Sequence, residues 1–226
     1  MGNIVMVLGP SGVGKSTSIK TLDADKTIII NVLHKPLPFK GAKGLYNKEK
    51  NNLFSISDTA KVETYVRAIN ERRPECRHIV IDDATYLMRN EYFEKAQVKG
   101  YEKFTELARR FQQLLAACVA ARDDLNIYLI MHSEMVTSGG DIDSYKVATV
   151  GKMLEEKYNP MECVAMCLFA DMKVENDAVK YGFYTNTTII KERRIPAKTP
   201  DGMFNELFIP NDLAFVAQKM DEYFNE

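Results

Sequence analysis

The sequence predicts an α/β fold of three layers, a mostly parallel sheet between helices, closed by a C-terminal β-hairpin and helix. Three observations predict it. Short apolar runs of strand length alternate with helical periodicities, the order that builds a parallel sheet. The first run, Ile4-Val5-Met6-Val7-Leu8, feeds directly into Gly9-Pro10-Ser11-Gly12-Val13-Gly14-Lys15-Ser16-Thr17 and then a helical stretch. Near the other end, strands at Cys163 to Val174 and Val179 to Tyr184 flank the turn Glu175-Asn176-Asp177-Ala178, and a helix follows.

At 226 residues, with 46% hydrophobic and 27% charged residues, the chain has the composition of one ordinary globular domain spanning 1–226. The net charge of −1 supplies no global basic field, so any nucleic-acid contact must come from local patches. Cys76, Cys118, Cys163 and Cys167 lack paired metal-ligand spacing and read as reduced structural thiols. No apolar run reaches membrane-spanning length, and the first strand begins almost at Met1, leaving no room for a signal peptide. A cytoplasmic chain without a membrane partner is the expectation.

The elements follow in order. Lys26-Thr27-Ile28-Ile29-Ile30-Asn31-Val32 is a second buried strand, rich in β-branched residues. Leu33 to Gly41 contains Pro36 and Pro38, which forbid regular structure. Val62, Tyr65, Val66 and Ile69 share one helical face, with Asp58 as N-cap and Pro74 beyond the end. His78-Ile79-Val80-Ile81 is a third strand, ending in Asp82 and Asp83. Helical periodicity runs from Ala84 to Asp124, broken near Gly100. A fourth strand, Asn126 to Met131, ends at His132. Ser133 to Thr149 is polar, carries Gly139-Gly140 and shows no apolar period, so it reads as a long loop. A short helix around Met153 to Tyr158 precedes the hairpin. The last helix, about Asp212 to Phe224, aligns Leu213, Val216, Met220 and Phe224.

Chemistry concentrates at the ends of these strands. Residues 9–16 fill every fixed position of G-x-x-x-x-G-K-[ST], the phosphate-binding P-loop. Its glycines let successive N–H groups turn toward an anion. Gly9, Pro10, Ser11, Gly12, Val13, Gly14, Lys15, Ser16 and Thr17 are therefore candidate nucleotide contacts. Lys15 would reach the β/γ-phosphates, and Ser16 would ligate Mg²⁺. Asp82, an acid at the end of a buried strand, matches a Walker B metal carboxylate, and Asp83 beside it is a candidate base for the attacking water. The other reading of such a pair is a cap for the next helix. His132, if its strand lies between the first and third, faces the γ-phosphate and could sense it. ATP and Mg²⁺ are the expected ligands.

Two segments carry clustered positive charge. Lys35, Lys40 and Lys43, interleaved with Phe39 and Tyr46, form either a solvated loop or a nucleic-acid contact. Lys191, Arg193, Arg194 and Lys198 form the second cluster.

The order of elements resembles the RecA-like branch of P-loop ATPases, in which a polar sensor ends the strand between those of Walker A and Walker B. More narrowly, Ile30 to Phe39, Ile79 to Asp83 and Lys198-Thr199-Pro200-Asp201-Gly202-Met203-Phe204 resemble single-domain phage-encoded ATPases linked to single-strand annealing and recombination. That resemblance implies a core strand order of 5-1-4-3-2, phosphate and Mg²⁺ contacts for Lys15 and Ser16, a metal role for Asp82 and a sensor role for His132, while Asp83 as catalytic base is a reading of the residues alone. It also implies a DNA-stimulated ATPase acting on single-stranded DNA, in a ring or filament of identical subunits, with a single-stranded-DNA-binding protein as a further partner. Tyr145 and Lys146, after the sensor, would contact DNA, as would the segment from Arg89 to Lys99. Arg193 or Arg194 would reach a neighbour's nucleotide. One departure stands out: the catalytic Glu that RecA-like recombinases carry after the second strand is replaced by Leu33-His34-Lys35.

Two rival readings remain from the residues. The P-loop also resembles that of guanylate kinase, which would make this a nucleotide kinase; yet residues 31 to 57 hold no arginine for a lid. A nucleotide-switched assembly protein is the other.

Overall fold

The computed structural model describes residues 2–151 and 153–224. Its strands are β1 (Asn3–Gly9), β2 (Thr27–Asn31), β3 (Leu53–Ser55), β4 (His78–Asp82), β5 (Asn126–Ser138), β6 (Asp141–Val147), β7 (Met166–Glu175), β8 (Ala178–Tyr184), β9 (Thr188–Ile190), β10 (Arg193–Ile195) and β11 (Phe208–Pro210). The helices are α1 (Ala42–Leu45), α2 (Thr59–Arg72), α3 (Thr85–Glu94), α4 (Glu102–Val119) and α5 (Leu213–Phe224).

The main sheet runs β11-β8-β7-β1-β5-β4-β2-β3. From β7 to β3 every pairing is parallel, while β8 and β11 join antiparallel. The five strands expected of the core therefore stand as β7-β1-β5-β4-β2, which is the order 5-1-4-3-2. The buried strands are apolar on both faces because helices cover both sides. Ile4, Met6 and Leu8 of β1 pack with Val62, Val66, Leu107, Phe111 and Leu114 of α2 and α4. Val5 and Val7 face the opposite way, with Ile19, Leu213, Val216 and Met220. Alternation along one strand thus feeds two cores. Each such side chain contributes roughly 1.5–3 kcal/mol by leaving water.

The helix boundaries follow their signals. The Asp58 side chain accepts from Lys61 N–H and caps α2, and the α3–α4 break falls where expected, around Gly100. After the P-loop, Ser16–Thr21 is a 3₁₀ turn. Met153–Lys157 forms one π-helical turn. The four cysteines are free, three of them buried, with the thiols of Cys118 and Cys167 pushed up to about 12 by burial. Among the described residues no helix is long and apolar enough to cross a membrane.

One expectation is overturned. Ser133 to Thr149 is a hairpin: β5 continues past His132 to Ser138, and β6 returns antiparallel, with Ser133 opposite Val147. Gly139 and Gly140 take positive φ values of 61° and 97°, the conformation a two-residue hairpin turn requires. The hairpin's two faces are largely polar, so no apolar alternation marks it in the sequence. Its free edge pairs with β10, which pairs with β9, making a small side sheet.

Candidate nucleotide site

Parallel pairing brings the chemistry to one edge. Gly9 of β1 stands opposite His132 of β5, and Asn31 of β2 opposite Asp82 of β4. The carboxyl ends of four strands, far apart in sequence, so line one cleft of about 470 Å³.

The P-loop occupies one wall. Gly12 and Gly14 adopt φ of 85° and 86°, a region that costs other L-residues about 1–2 kcal/mol. At Gly14 a Cβ would also lie 2.7 Å from Asn211 Nδ2 and 3.2 Å from the Tyr181 ring. At Gly9 it would lie 2.7 Å from the Ala170 carbonyl oxygen, so the loop is seated tightly on β7. Lys15 is 6% exposed, and its Nζ donates to the carbonyls of Gly9 at 2.9 Å and Pro10 at 2.6 Å. Burial lowers its pKa to about 8, against the pull of Asp83 and Asp82 and with a further push from the Lys35 charge. A phosphate chain would supply the counter-charge this lysine lacks.

Ser16 Oγ donates to Asp82 Oδ1 at 2.6 Å. Burial raises the Asp82 carboxyl to about 6, even though the Ser16 hydroxyl and Lys15 favour its charged form. A hydroxyl and a buried carboxylate touching one another are the hard oxygen donors that Mg²⁺ prefers, so the residues fit that ion. Among the described residues no cluster of three or more His, Cys, Asp or Glu forms a cage. Bound at Ser16 and Asp82, Mg²⁺ would supply positive charge to the transferring phosphoryl group.

Asp83 does something different. Its φ is 61°, a left-handed conformation that Asp tolerates at modest cost, and its carboxylate takes partners other than those of Asp82. Oδ1 lies 3.0 Å from His132 Nε2, and Oδ2 lies 3.4 Å from Lys35 Nζ. Burial pushes this carboxyl up, but the His132 hydrogen bond and the Lys35 charge outweigh it and hold the pKa below the usual value. The helix-cap reading is not met, because α3 has no side-chain cap and its N-terminal flank is Ala84. Thr85 fixes the far partner: its Oγ1 accepts from His132 N–H at 2.9 Å. The Tyr86 ring meets the His132 ring edge-on at 5.8 Å. A carboxylate kept ionised beside an imidazole, one residue from a metal acid, is equipped to orient or deprotonate water.

Of the foreseen residues, Ser11, Gly12, Gly14, Lys15, Ser16, Thr17, Asp82, Asp83 and His132 all border the cleft. Gly9, Pro10 and Val13 shape the loop behind them, with Val13 buried. Lys35, foreseen as part of a basic track, also borders the cleft, whereas Lys40, on the following loop, and Lys43, on α1, are exposed and do not. Tyr145 and Lys146 sit on β6. The Tyr145 ring packs on Phe169 with centroids 5.1 Å apart, and Lys146 pairs with Glu155, so neither lies in a free loop after the sensor. Arg193 and Arg194 are exposed on β10 in the side sheet and do not line the cleft.

Sequence reasoning missed Asn31, Thr85, Tyr181 and Asn211. Asn31, 5% exposed, donates through Nδ2 to the Lys35 carbonyl at 2.6 Å and shapes the turn after β2. Asn211 Nδ2 donates to the Gly14 carbonyl at 3.0 Å across nearly the whole chain. No local pattern signals such contacts.

The sequence matches the family described as AAA domain over residues 1–200. No curated protein matches it. Among solved structures, it is similar to a KaiC-like protein from the hyperthermophilic archaeon Pyrococcus horikoshii OT3, at 12% identity and a TM-score of 0.46, over 88% of this chain and 81% of that one.

Proposed function

The chain belongs to the AAA domain family of P-loop ATPases, and on that premise we propose that it is a Mg²⁺-dependent ATP hydrolase acting on single-stranded DNA in recombination, annealing or repair. The observation that carries hydrolysis is the pairing of two adjacent acids with different partners. Asp82 takes Ser16, the metal side, and Asp83 takes His132, the water side. A protein that only bound nucleotide would need the first pair alone.

The single-strand reading rests on the resemblance of Ile30 to Phe39, Ile79 to Asp83 and Lys198 to Phe204 to phage-encoded ATPases. It is supported by a groove of about 620 Å³ along α3 and α4. Tyr86, Tyr92, Phe93 and Phe104 line it together with Arg89. Arg89 lies 5.1 Å over the Tyr86 ring, and Lys103 lies 5.5 Å over both Tyr92 and Phe104. Phe93 is 72% exposed. Aromatic faces beside cations are what unpaired bases and their phosphates require. Tyr86 joins this groove to His132 and hence to the nucleotide. We assign the exposed Lys40, Lys43, Arg193 and Arg194 to the same assembly, the arginines toward a neighbouring subunit in a homo-oligomer.

Phosphate release measured with and without single-stranded DNA tests the proposal. Stimulation by the oligonucleotide, abolished by Lys15→Ala in a folded protein, is expected. Turnover that needs GMP or another nucleotide acceptor would replace the hydrolase with a kinase. Tight ATP binding with no turnover under any condition would leave a nucleotide-operated assembly protein.

A further inference from the structure

We propose that Lys35 is a second γ-phosphate cation, supplied by the same chain, which rests on Asp83 until a nucleoside triphosphate draws it away and frees that carboxylate for the attacking water. The proposal rests on the ATP-hydrolase reading above and concerns how the site tells triphosphate from diphosphate.

The turn that carries Lys35 is built to aim it. Asn31, buried at the end of β2, holds the Lys35 carbonyl at 2.6 Å. His34 takes a left-handed φ of 58°, and Pro36 restricts Lys35 from the other side. The side chain then reaches over the cleft, 3.4 Å from Asp83 Oδ2 and 5.7 Å from the centre of the Tyr86 ring, while remaining 62% exposed. A flexible ammonium on a fixed turn can move its charge without moving the backbone.

Three features point to the terminal phosphate as its destination. Lys15, the first phosphate cation, is held at the P-loop by the carbonyls of Gly9 and Pro10, and Lys35 is the cation that stands beside Asp83 in the same cleft. A group that acts on water attacking the γ-phosphorus must stand beside that phosphate, and Lys35 is the cation resting on that group. The lysine side of this ion pair is 62% exposed and screened by water while Asp83 is only 13% exposed, so the lysine is the mobile member, and a terminal phosphate, carrying more charge than one carboxylate, draws it off. The diphosphate offers no such competitor, and Lys35 stays on Asp83. With His132 on Oδ1 and Lys35 on Oδ2 both oxygens of the carboxylate are occupied, so Oδ2 becomes free for water only when the substrate is complete.

In the hydrolytic step the water oxygen bonds to the γ-phosphorus, and the bond from that phosphorus to the β–γ bridging oxygen breaks. The bridging oxygen keeps the electron pair as a terminal oxygen of the diphosphate. The water proton passes to Asp83 and from there to the released phosphate. Lys35 transfers no proton and acts through its charge alone.

The test compares Lys35→Gln and Lys35→Arg with the wild-type full chain. Calorimetry with Mg²⁺ gives affinities for ADP and for a non-hydrolysable imido analogue of ATP. A phosphate-release assay gives turnover. Lys35→Gln should weaken the triphosphate analogue about tenfold or more, since a charge-assisted contact is lost. Its ADP affinity should be unchanged, its kcat lower, and Lys35→Arg should restore most of both. Equal loss of ADP and analogue binding, or no loss of either, would overturn the proposal while leaving nucleotide hydrolysis intact. Weaker oligonucleotide binding with both nucleotide affinities preserved would also overturn it and return Lys35 to a nucleic-acid face. A wild-type chain that binds neither nucleotide overturns this proposal and the ATP-hydrolase reading together.

Discussion

Ser16 and Asp82 stand 2.6 Å apart, hydroxyl to carboxylate, although 66 residues separate them in the chain. Parallel strands β1 and β4, with β5 between them, set that distance, and it fixes the metal side of the site. Asp82→Asn keeps the shape and the Ser16 contact but removes the charge. Nucleotide affinity should then lose its dependence on Mg²⁺, measured by titrating nucleotide with and without the ion, while ADP binding in EDTA stays as in wild type.

Asp83→Asn should behave oppositely. Its proposed work is on water, so Mg²⁺-nucleotide affinity should hold while kcat falls by roughly 10²–10⁴-fold, the usual share of a general base. His132→Ala should give a smaller loss in the same direction. Normal turnover in both variants would reduce the Asp83–His132 contact to a structural one.

The two left-handed glycines separate strain from collision. Gly12→Ala meets no neighbour and should cost only the backbone term, about 1–2 kcal/mol. Gly14→Ala carries the same strain and also strikes Asn211 and Tyr181. Denaturant unfolding should place Gly14→Ala below Gly12→Ala in stability, and nucleotide affinity should follow that rank.

Two buried groups oppose each other in pH. Burial lowers His78 from 6.5 to about 4 and raises Asp82 from 3.8 to about 6. Below pH 6.5 the unfolded chain takes up the His78 proton first, so acidification removes stability down to about pH 4. Over nearly the same range the folded chain takes up the Asp82 proton first, so acidification adds stability, and that gain is lost as pH rises through 6. At 1.36 kcal/mol per pH unit each effect is about 3 kcal/mol at most. In the nucleotide-free wild type these two contributions should largely cancel between pH 4 and 6.5, leaving the acid loss of carboxylates held below their usual values, Asp83 among them. Relative to wild type, Asp82→Asn should become acid-sensitive across that window, and His78→Phe, which retains the ring contact with Tyr128, should instead weaken as pH rises. Denaturation midpoints taken across the window decide it, and parallel profiles for all three proteins would refute the assignment of both groups.

Nucleic-acid contacts should divide by type. Lys40→Gln with Lys43→Gln should flatten the salt dependence of single-strand binding, by about 0.7 in the log–log slope for each lost phosphate contact. Phe93→Ala should weaken binding by about 1–3 kcal/mol with the slope unchanged, as loss of stacking does. Arg193→Ala or Arg194→Ala should reduce DNA-stimulated turnover and leave nucleotide affinity alone. Fluorescent-oligonucleotide titrations at several salt concentrations, beside phosphate release, separate the three outcomes.

The sequence by itself determined the phosphate loop, the alternation that makes a mostly parallel sheet, the two acids ending one strand and the histidine ending another. These are local patterns, set by side-chain period and by glycine, and neighbouring residues suffice to read them. It also carried, unread, the Gly139-Gly140 turn; the polar faces of β5 and β6 hid the hairpin because apolar alternation appears only where one face is buried. Tertiary structure alone decided which partner each acid takes. Asp83 reaches His132 and Lys35 because β4 lies between β5 and β2, which brings the ends of those strands to either side of it. It decided too that Tyr145 spends its ring on Phe169, that Thr85 pins His132, and that Asn211 closes over Gly14. Each of these contacts joins segments from 24 to 197 residues apart. Strand order and register create them, and no periodicity within a segment encodes a contact between segments.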